Sequence, residues 1–444
     1  MSTTPPASAA PIVPTAPLLG GARLAIWGLF ALALVLAPQI FSSRLALTML
    51  SQMGYMVIIC LSYNMLLGQG GMLSFGHAVY TGLGAFIAIH VMNMAGGALT
   101  VPLVLVPVAG GLAGMFFAAL LGYVTTKKAG TTFAMITMGI GELVASMALM
   151  FPEFFGGEGG ITTDRVYGKP FLGFDFGADL QVYYLIAVYC FVCTALMFAF
   201  TATPLGRMLN AVRDNPERAE FIGYNTQRVR YFSFIIAGFF AGVGGGLMTI
   251  NFEIITGMDS MNLARSGSYL LFTFLGGAGF FFGPIIGAVL LVLCSVLLSE
   301  LTKAWLLYLG LIFLLMVMYA PGGIASLVMA NWRVVRFGQW RALLLPYLGI
   351  AASMVPVLVG AAALIEMTYH LQLNAALGGQ LAFMGTHLDT GAVSTWALAV
   401  IMLAAGLGVL EYMRRWCLRR WERVQEAIEA QIRQAQQAQE RGAA

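Results

Sequence analysis

The sequence predicts an all-α fold: a polytopic transmembrane helical bundle with broken, Gly-rich helices. Three observations carry that expectation. Mean hydropathy is +0.85, and 59% of residues are hydrophobic against 9% charged, a balance suited to lipid rather than water as solvent. About twelve apolar segments reach, or nearly reach, the length that crosses a bilayer. The basic residues between those segments are divided unequally, as membrane orientation requires.

Taken in order, the segments lie near residues 22–41, 46–67, 73–95, 101–124, 131–151, 180–201, 231–251, 266–282, 284–299, 304–320, 344–366 and 394–411. Ahead of them, residues 1–21 are rich in Pro, Ala, Ser and Thr and carry no charge, which reads as a disordered cytoplasmic N-terminus. It lacks the basic start of a cleaved signal peptide, so the first span is expected to be retained. With both termini inside and twelve crossings, 18 of the 23 basic residues fall on the cytoplasmic side. Arg44, Arg165, Lys169, Arg265 and Lys303 are left outside. The net charge of +4 therefore reads as membrane orientation, and no nucleic-acid binding is expected.

The second and third segments meet in NMLLGQGGMLSFGHAVYTGLGA, residues 64–85. Glycine at this density either lets helices pack closely or breaks a helix where it lines a cavity. Asn64, Gln69, Ser74 and His77 add polar groups at hydrocarbon depth. They are candidates for a solute path, with helix-to-helix hydrogen bonding as the equal alternative. The fifth segment contributes Glu142, the one carboxylate deep in the apolar part of the first 350 residues, which is a further path candidate. The eighth and ninth segments are short and Gly-interrupted, and read as a broken pair or a re-entrant excursion. The polar loop 152–179 falls outside, where it is either a connector or a docking surface for an external protein.

No metal site is expected, since the five cysteines show no ligand spacing and His77 has no clustered partner. No catalytic residue is assigned either, because too few polar groups converge. The chain is read as a non-enzyme that binds no cofactor.

Between the sixth and seventh segments lies TPLGRMLNAVRDNPERAEFIGYN, residues 203–225. Pro204 and Pro216 each suit the first turn of a helix, so the stretch reads as two short helices with a break between them. Arg207, Arg213, Asp214, Glu217, Arg218 and Glu220 concentrate charge there, in an otherwise apolar chain. Such a charged cytoplasmic insert is suited to present a surface to a soluble partner.

At these residues the chain resembles a known family. NMLLGQGGMLSFGHAVYTGLGAF resembles the signature region of LivM-type permeases, the membrane subunits of branched-chain amino acid ABC transporters. TPLGRMLNAVRDNPERAEFIGYN resembles their cytoplasmic coupling stretch. LLFTFLGGAGFFFGPIIGA resembles their late Gly-rich segment, and LGLIFLLMVMYAPGGIASL their terminal span. The four blocks keep the family order over roughly residues 25–330. Thr131-Thr132-Phe133-Ala134 departs from the Tyr-Phe-Ala form common in the family.

The resemblance implies a LivM/LivH-type ABC importer permease domain over 22–330, with coupling helices at 203–225. It implies that Arg213, Asp214, Asn215, Glu217, Arg218, Glu220 and Tyr224 face the ATPase. It also implies as partners two ABC ATPase subunits, a LivH-type second permease, a periplasmic solute-binding protein and the lipid bilayer of a bacterial inner membrane. Cargo would be branched-chain amino acids or a related small polar or organic-acid solute. ATP would be used by the partner subunits, in keeping with the lack of a GxxxxGK[ST] motif here. The alternative is a self-sufficient, ion-coupled secondary transporter using Glu142. Beyond the resemblance, residues 331–413 read as an extension with two further transmembrane helices, and 414–444 as a cytoplasmic amphipathic helical tail.

Overall fold

The computed structural model describes residues 21–95, 101–166, 175–373, 380–383 and 386–443. The expected N-terminal lead over 1–20 lies outside the described residues, as do 167–174 of the external loop and 374–379 of the last one. The chain opens with helices α1 (Gly21–Ile40), α2 (Arg44–Leu67), α3 (His77–Ala95), α4 (Val106–Thr125), α5 (Gly130–Met150) and the one-turn α6 (Pro152–Phe155). Strand β1 (Ile161–Thr162) precedes α7 (Asp179–Ala202), α8 (Pro204–Asp214), α9 (Pro216–Phe221) and α10 (Thr226–Phe252). Then follow β2 (Ile254–Ile255), α11 (Gly257–Met261), α12 (Leu263–Gly276), α13 (Gly283–Leu293) and, after a π turn, α14 (Ser299–Leu301). The remaining elements are α15 (Trp305–Tyr319), α16 (Gly323–Arg336), α17 (Arg341–Leu373), β3 (Gln380–Phe383), β4 (Thr386–Asp389) and α18 (Val393–Ala443).

Every apolar segment read from the sequence is helical, but not every one is a full span. Among the described residues eight helices are long and apolar enough to cross a membrane, or nine if the bent pair α15–α16 counts as one. α12 has 14 residues, or about 21 Å of helix, and it turns back through residues 277–282 to pack along α13. The Gly-rich turn sets the limit on its length. The break expected near residue 70 is also present: α2 ends at Leu67 and α3 starts only at His77.

The core is built around α10, which packs against α2, α3 and α4 and has 83% of its apolar window buried. Glycines make that approach close. A Cβ on Gly242 would stand 2.2 Å from the Gly110 carbonyl oxygen of α4, and one on Gly245 would stand 2.0 Å from the Thr81 carbonyl oxygen of α3. Small residues thus replace side-chain interdigitation by backbone contact, as membrane helices commonly do.

Connections sort onto two ends. At one end the 68–71 segment meets α8, Ala278 lies against Gly68, and Gly277 lies against Gly322 and Gly323. At the other, β1 pairs antiparallel with β2, and Arg165 joins α7 to the end of α10. Its Nη2 donates to Asp179 Oδ1 at 2.8 Å and its backbone N–H to Glu253 Oε1 at 2.9 Å. Arg44 reaches the same Asp179 at 3.3 Å. The charge count divided the loops between the same two ends.

The helices of the extension, α17 and α18, pack as a long hairpin, closed by the β3–β4 ribbon. Glu366 of α17 accepts hydrogen bonds from Thr302 Oγ1 and, at 3.2 Å, from Tyr308 Oη, tying the hairpin to the preceding helices. The tail is helical to Ala443. It continues the last apolar segment without a break as part of a 51-residue helix. Part of its apolar face is occupied within the chain, with Val424 and Ile428 packing on Val334 and Leu343.

Candidate docking face and solute path

The charged insert folds as a chain of three capped helices. Thr203 Oγ1 accepts from the Gly206 N–H at 3.2 Å to start α8. Asn215 Oδ1 accepts from the Arg218 N–H at 2.9 Å to start α9, and Asn225 Oδ1 accepts from the Arg228 N–H at 2.9 Å to start α10. The Thr-Pro and Asn-Pro pairs supply an N-cap followed by proline at N1, which is why the helices break there.

α8 buries Gly206, Leu209 and Val212, and α9 buries Ala219. Leu205, Met208, Asn210 and Ala211 of α8 are half-buried, and the rest of the pair faces outward. Arg213, Asp214, Asn215, Glu217, Arg218, Glu220 and Tyr224 are all exposed. So are two residues that the charge pattern did not single out: Phe221 at 89% and Ile222 at 65%. Their sequence signal is an apolar pair closing a charged helix. Water is a poor solvent for both, and burying each against a partner would be worth roughly 1.5–3 kcal/mol.

The insert is fastened to the α2–α3 break. Arg213 Nη1 donates to the Gly68 carbonyl, and Asn210 Nδ2 donates to Gln69 Oε1 at 2.9 Å. Arg213 also pairs with Asp214 at 2.9 Å. A force applied at α8 therefore reaches the loop that separates α2 from α3.

The path candidates do not form one group. Asn64, Ser74 and His77 are buried inside the subunit. His77 Nε2 lies 2.8 Å from Ser62 Oγ, and Tyr63 Oη donates to the Ser74 carbonyl at 2.8 Å. Asn64 Oδ1, Ser74 Oγ and His77 Nδ1 are buried without a hydrogen-bond partner among the described residues. Gln69 is half-buried at the α8 end and is held by Asn210. Glu142 stands apart from all of these. Its neighbours Thr137 and Gly141 turn inward, where Thr137 Oγ1 accepts from the Phe75 N–H at 3.1 Å, while Glu142 faces out. It lies twelve residues into α5, about 18 Å along the axis.

The exposed face of α5 carries Thr132, Met135, Met138, Gly139, Glu142 and Ser146. Glu142 has no hydrogen bond or ion pair among the described residues. A mid-helix carboxylate is costly against acyl chains, so this face calls for protein or water across from it. No group of three or more His, Cys, Asp or Glu side chains is placed to hold a metal ion among the described residues.

Comparison with known proteins accounts for this arrangement. The profile of the branched-chain amino acid transport system permease component matches residues 45–321, more than half of the chain. The chain belongs to that family. It is an all-α, multi-pass permease component of an ABC-type importer, and the family carries no ATPase domain and no catalytic function of its own. The permease is 27% identical over 289 residues to the high-affinity branched-chain amino acid transport system permease protein LivM of Escherichia coli, covering 60% of this chain and 67% of the relative. A LivH permease protein of Methanocaldococcus jannaschii, described as a probable branched-chain amino acid transport permease, is 24% identical over 48% of this chain and 67% of its own length. The guanosine permease protein NupQ of Bacillus subtilis is 33% identical over a shorter stretch, 18% of this chain and 24% of its own. No solved structure matches. The α17–α18 hairpin lies beyond the matched residues.

Proposed function

We propose that this permease forms, with a second LivH-type permease, the membrane path of an importer for branched-chain amino acids or a related small polar or organic-acid solute. Two separate ATPase subunits drive it and a periplasmic solute-binding protein delivers the cargo. The α8–α9 end faces the cytoplasm of a bacterial inner membrane, and the β1–β2 end faces the periplasm. The observation that carries this reading is the solvent-facing α8–α9 pair, in which Phe221, Ile222 and Tyr224 project beside Glu217, Arg218 and Glu220. An apolar anchor rimmed by charge is the composition of a protein-binding surface.

In this reading the ATPase grips α8–α9, and closure of the ATPase pair moves α8. Arg213 and Asn210 transmit the motion to the Gly68–Gly71 segment and so to α2 and α3. The exposed face of α5 looks across the path toward the second permease, with Glu142 and Thr132 lining it. His77, bonded to Ser62, and Tyr63, bonded to the Ser74 carbonyl, hold the moving α2 and α3 together from within. The relatives named for branched-chain amino acids and for guanosine share the scaffold, so cargo choice rests on the path face and the binding protein.

The test is the double substitution Glu217→Ala, Arg218→Ala, measured beside Phe221→Asp in cells that express the whole importer. Both variants are expected to insert at normal levels and to lose ATPase co-purification and solute uptake. Unchanged uptake with normal insertion contradicts the docking assignment.

A further inference from the structure

The region after Tyr319 gathers eight exposed arginines at one end of the molecule, and neither the solute path nor the α8–α9 face uses them. α18 has no charge from Val393 to Leu410, about 27 Å of helix, which is close to the thickness of a bilayer core. Immediately afterwards come Glu411 and the exposed arginines Arg414, Arg415, Arg419, Arg420 and Arg423. Arg415, Arg419 and Arg423 are four apart and form a ridge opposite the buried Cys417, Val424 and Ile428. The packing of Val334 and Leu343 on that buried face brings Arg333, Arg336 and Arg341 to the same level. Glu411 pairs with Arg414 at 2.7 Å and with Arg415 at 2.8 Å. The other six have no carboxylate partner among the described residues.

α16 supplies an independent observation. It bends 48° away from α15 and leaves Leu327, Val328, Met329, Trp332 and Val335 exposed, with Arg333 and Arg336 in its last turn. Trp340 and Tyr412 are exposed nearby at 49% and 63%. An amphipathic helix bent off the end of a span, ringed by indole and phenol groups, belongs where acyl chains meet headgroups.

We propose that α16 and the turn of α18 that follows its apolar span form a platform for anionic phospholipid headgroups. α16 lies in the interface of that leaflet, with Arg333, Arg336 and Arg419 binding the phosphates, Arg415 shared between Glu411 and lipid, and Arg423 extending the positive field. Guanidinium groups suit this task because their forked donors match phosphate oxygens in pairs. The platform rests on the multi-pass membrane fold and not on the transport assignment, so it can fail or hold separately.

The test uses the purified full chain in mixed micelles with brominated phosphatidylglycerol or brominated phosphatidylcholine as quencher. Four of the seven tryptophans, Trp332, Trp340, Trp416 and Trp421, flank the platform and report lipid contact. Each arginine held at an anionic surface is worth a factor of about five in the equilibrium. Phosphatidylglycerol is therefore expected to quench at a mole fraction at least about fivefold lower than phosphatidylcholine. The preference should shrink toward unity at high salt and in the fourfold variant Arg333→Gln, Arg336→Gln, Arg415→Gln, Arg419→Gln, and persist in the matching lysine variant. Equal quenching by the two lipids overturns the proposal. So does a preference in the unmodified protein that is insensitive to salt, a control that does not depend on the variants folding.

Discussion

Replacing Gly245 by alanine tests the backbone-to-backbone seam between α10 and α3. The added methyl carbon would lie 2.0 Å from the Thr81 carbonyl oxygen and 3.0 Å from the Ala85 nitrogen. An ordinary carbon–oxygen contact needs about 3.4 Å, so the helices would have to part by more than 1 Å. Both neighbours are backbone atoms, and neither can swing aside as a side chain would. Overpacking of this kind costs typically 1–3 kcal/mol, and a backbone neighbour puts the cost near the top of that range. The entropy of unfolding grows with length, at about 2.1 cal/mol/K per residue, so in a chain of 444 residues 1 kcal/mol shifts the midpoint by about 1 °C. A loss of roughly 3 °C is therefore expected in a thermal scan of the purified permease in mild detergent. The control is Gly139→Ala on the outward face of α5, where an added Cβ meets nothing within 4 Å. That variant should melt within about 0.5 °C of the unmodified chain, since surface changes stay near ±0.5 kcal/mol. Equal shifts in both variants, or none in Gly245→Ala, would refute the close-packed seam.

Three further outcomes are expected. Arg213→Ala together with Asn210→Ala cuts the link between α8 and the Gly68–Gly71 segment. ATPase binding should survive while uptake per ATP hydrolysed falls severalfold, read by paired transport and phosphate-release assays. Glu142→Gln should leave insertion and thermal stability unchanged, because the carboxylate has no partner among the described residues, yet alter uptake rate. If Glu142 were only structural, its stability would move and its uptake would not. Glu366→Leu removes the acceptor shared by Thr302 and Tyr308. Hydrogen bonds to charged groups contribute about 1.5–3 kcal/mol, so limited proteolysis should cleave between Leu301 and Arg341 sooner in the variant.

Much of this architecture was legible in the sequence because lipid leaves the chain few choices. Runs of apolar residues became helices, the proline–cap pairs at Thr203-Pro204 and Asn215-Pro216 placed the breaks of the insert, and arginine distribution sorted the loops onto two ends. Helix length was less legible. Hydropathy alone gives α12 a full span, whereas Gly276–Gly277 ends it at fourteen residues. α16 was missed because Pro321-Gly322-Gly323 reads as a stop, although the chain only bends there and resumes as helix. Pairings across long sequence distance were illegible for a different reason. The joining of Ile161 to Ile255, or of Arg165 to Asp179 and Glu253, follows from which helices meet, and no local pattern encodes that.

The candidate site divided along the same line. Exposure of the α8–α9 charges follows from their polarity, so an outward-facing charged pair could be read directly. Polar residues within spans were ambiguous, since a buried His77 and an outward Glu142 have equal hydropathic cost. Only packing separates the buried Asn64, Ser74 and His77 from the exposed carboxylate of Glu142. Phe221 and Ile222 escaped notice because apolar residues in a charged stretch are ordinarily taken to be its buried face. Here Leu209, Val212 and Ala219 fill that role.

The most direct measurement is solute uptake by proteoliposomes containing this permease together with the ATPases and second permease that co-purify with it. Solute-binding protein is supplied outside, and ATP is either enclosed or omitted. Accumulation that requires enclosed ATP, and that disappears when the ATPases are left out, is the expected result. Accumulation by this chain alone, driven by an ion gradient without ATP, would contradict the assignment and make Glu142 the coupling group.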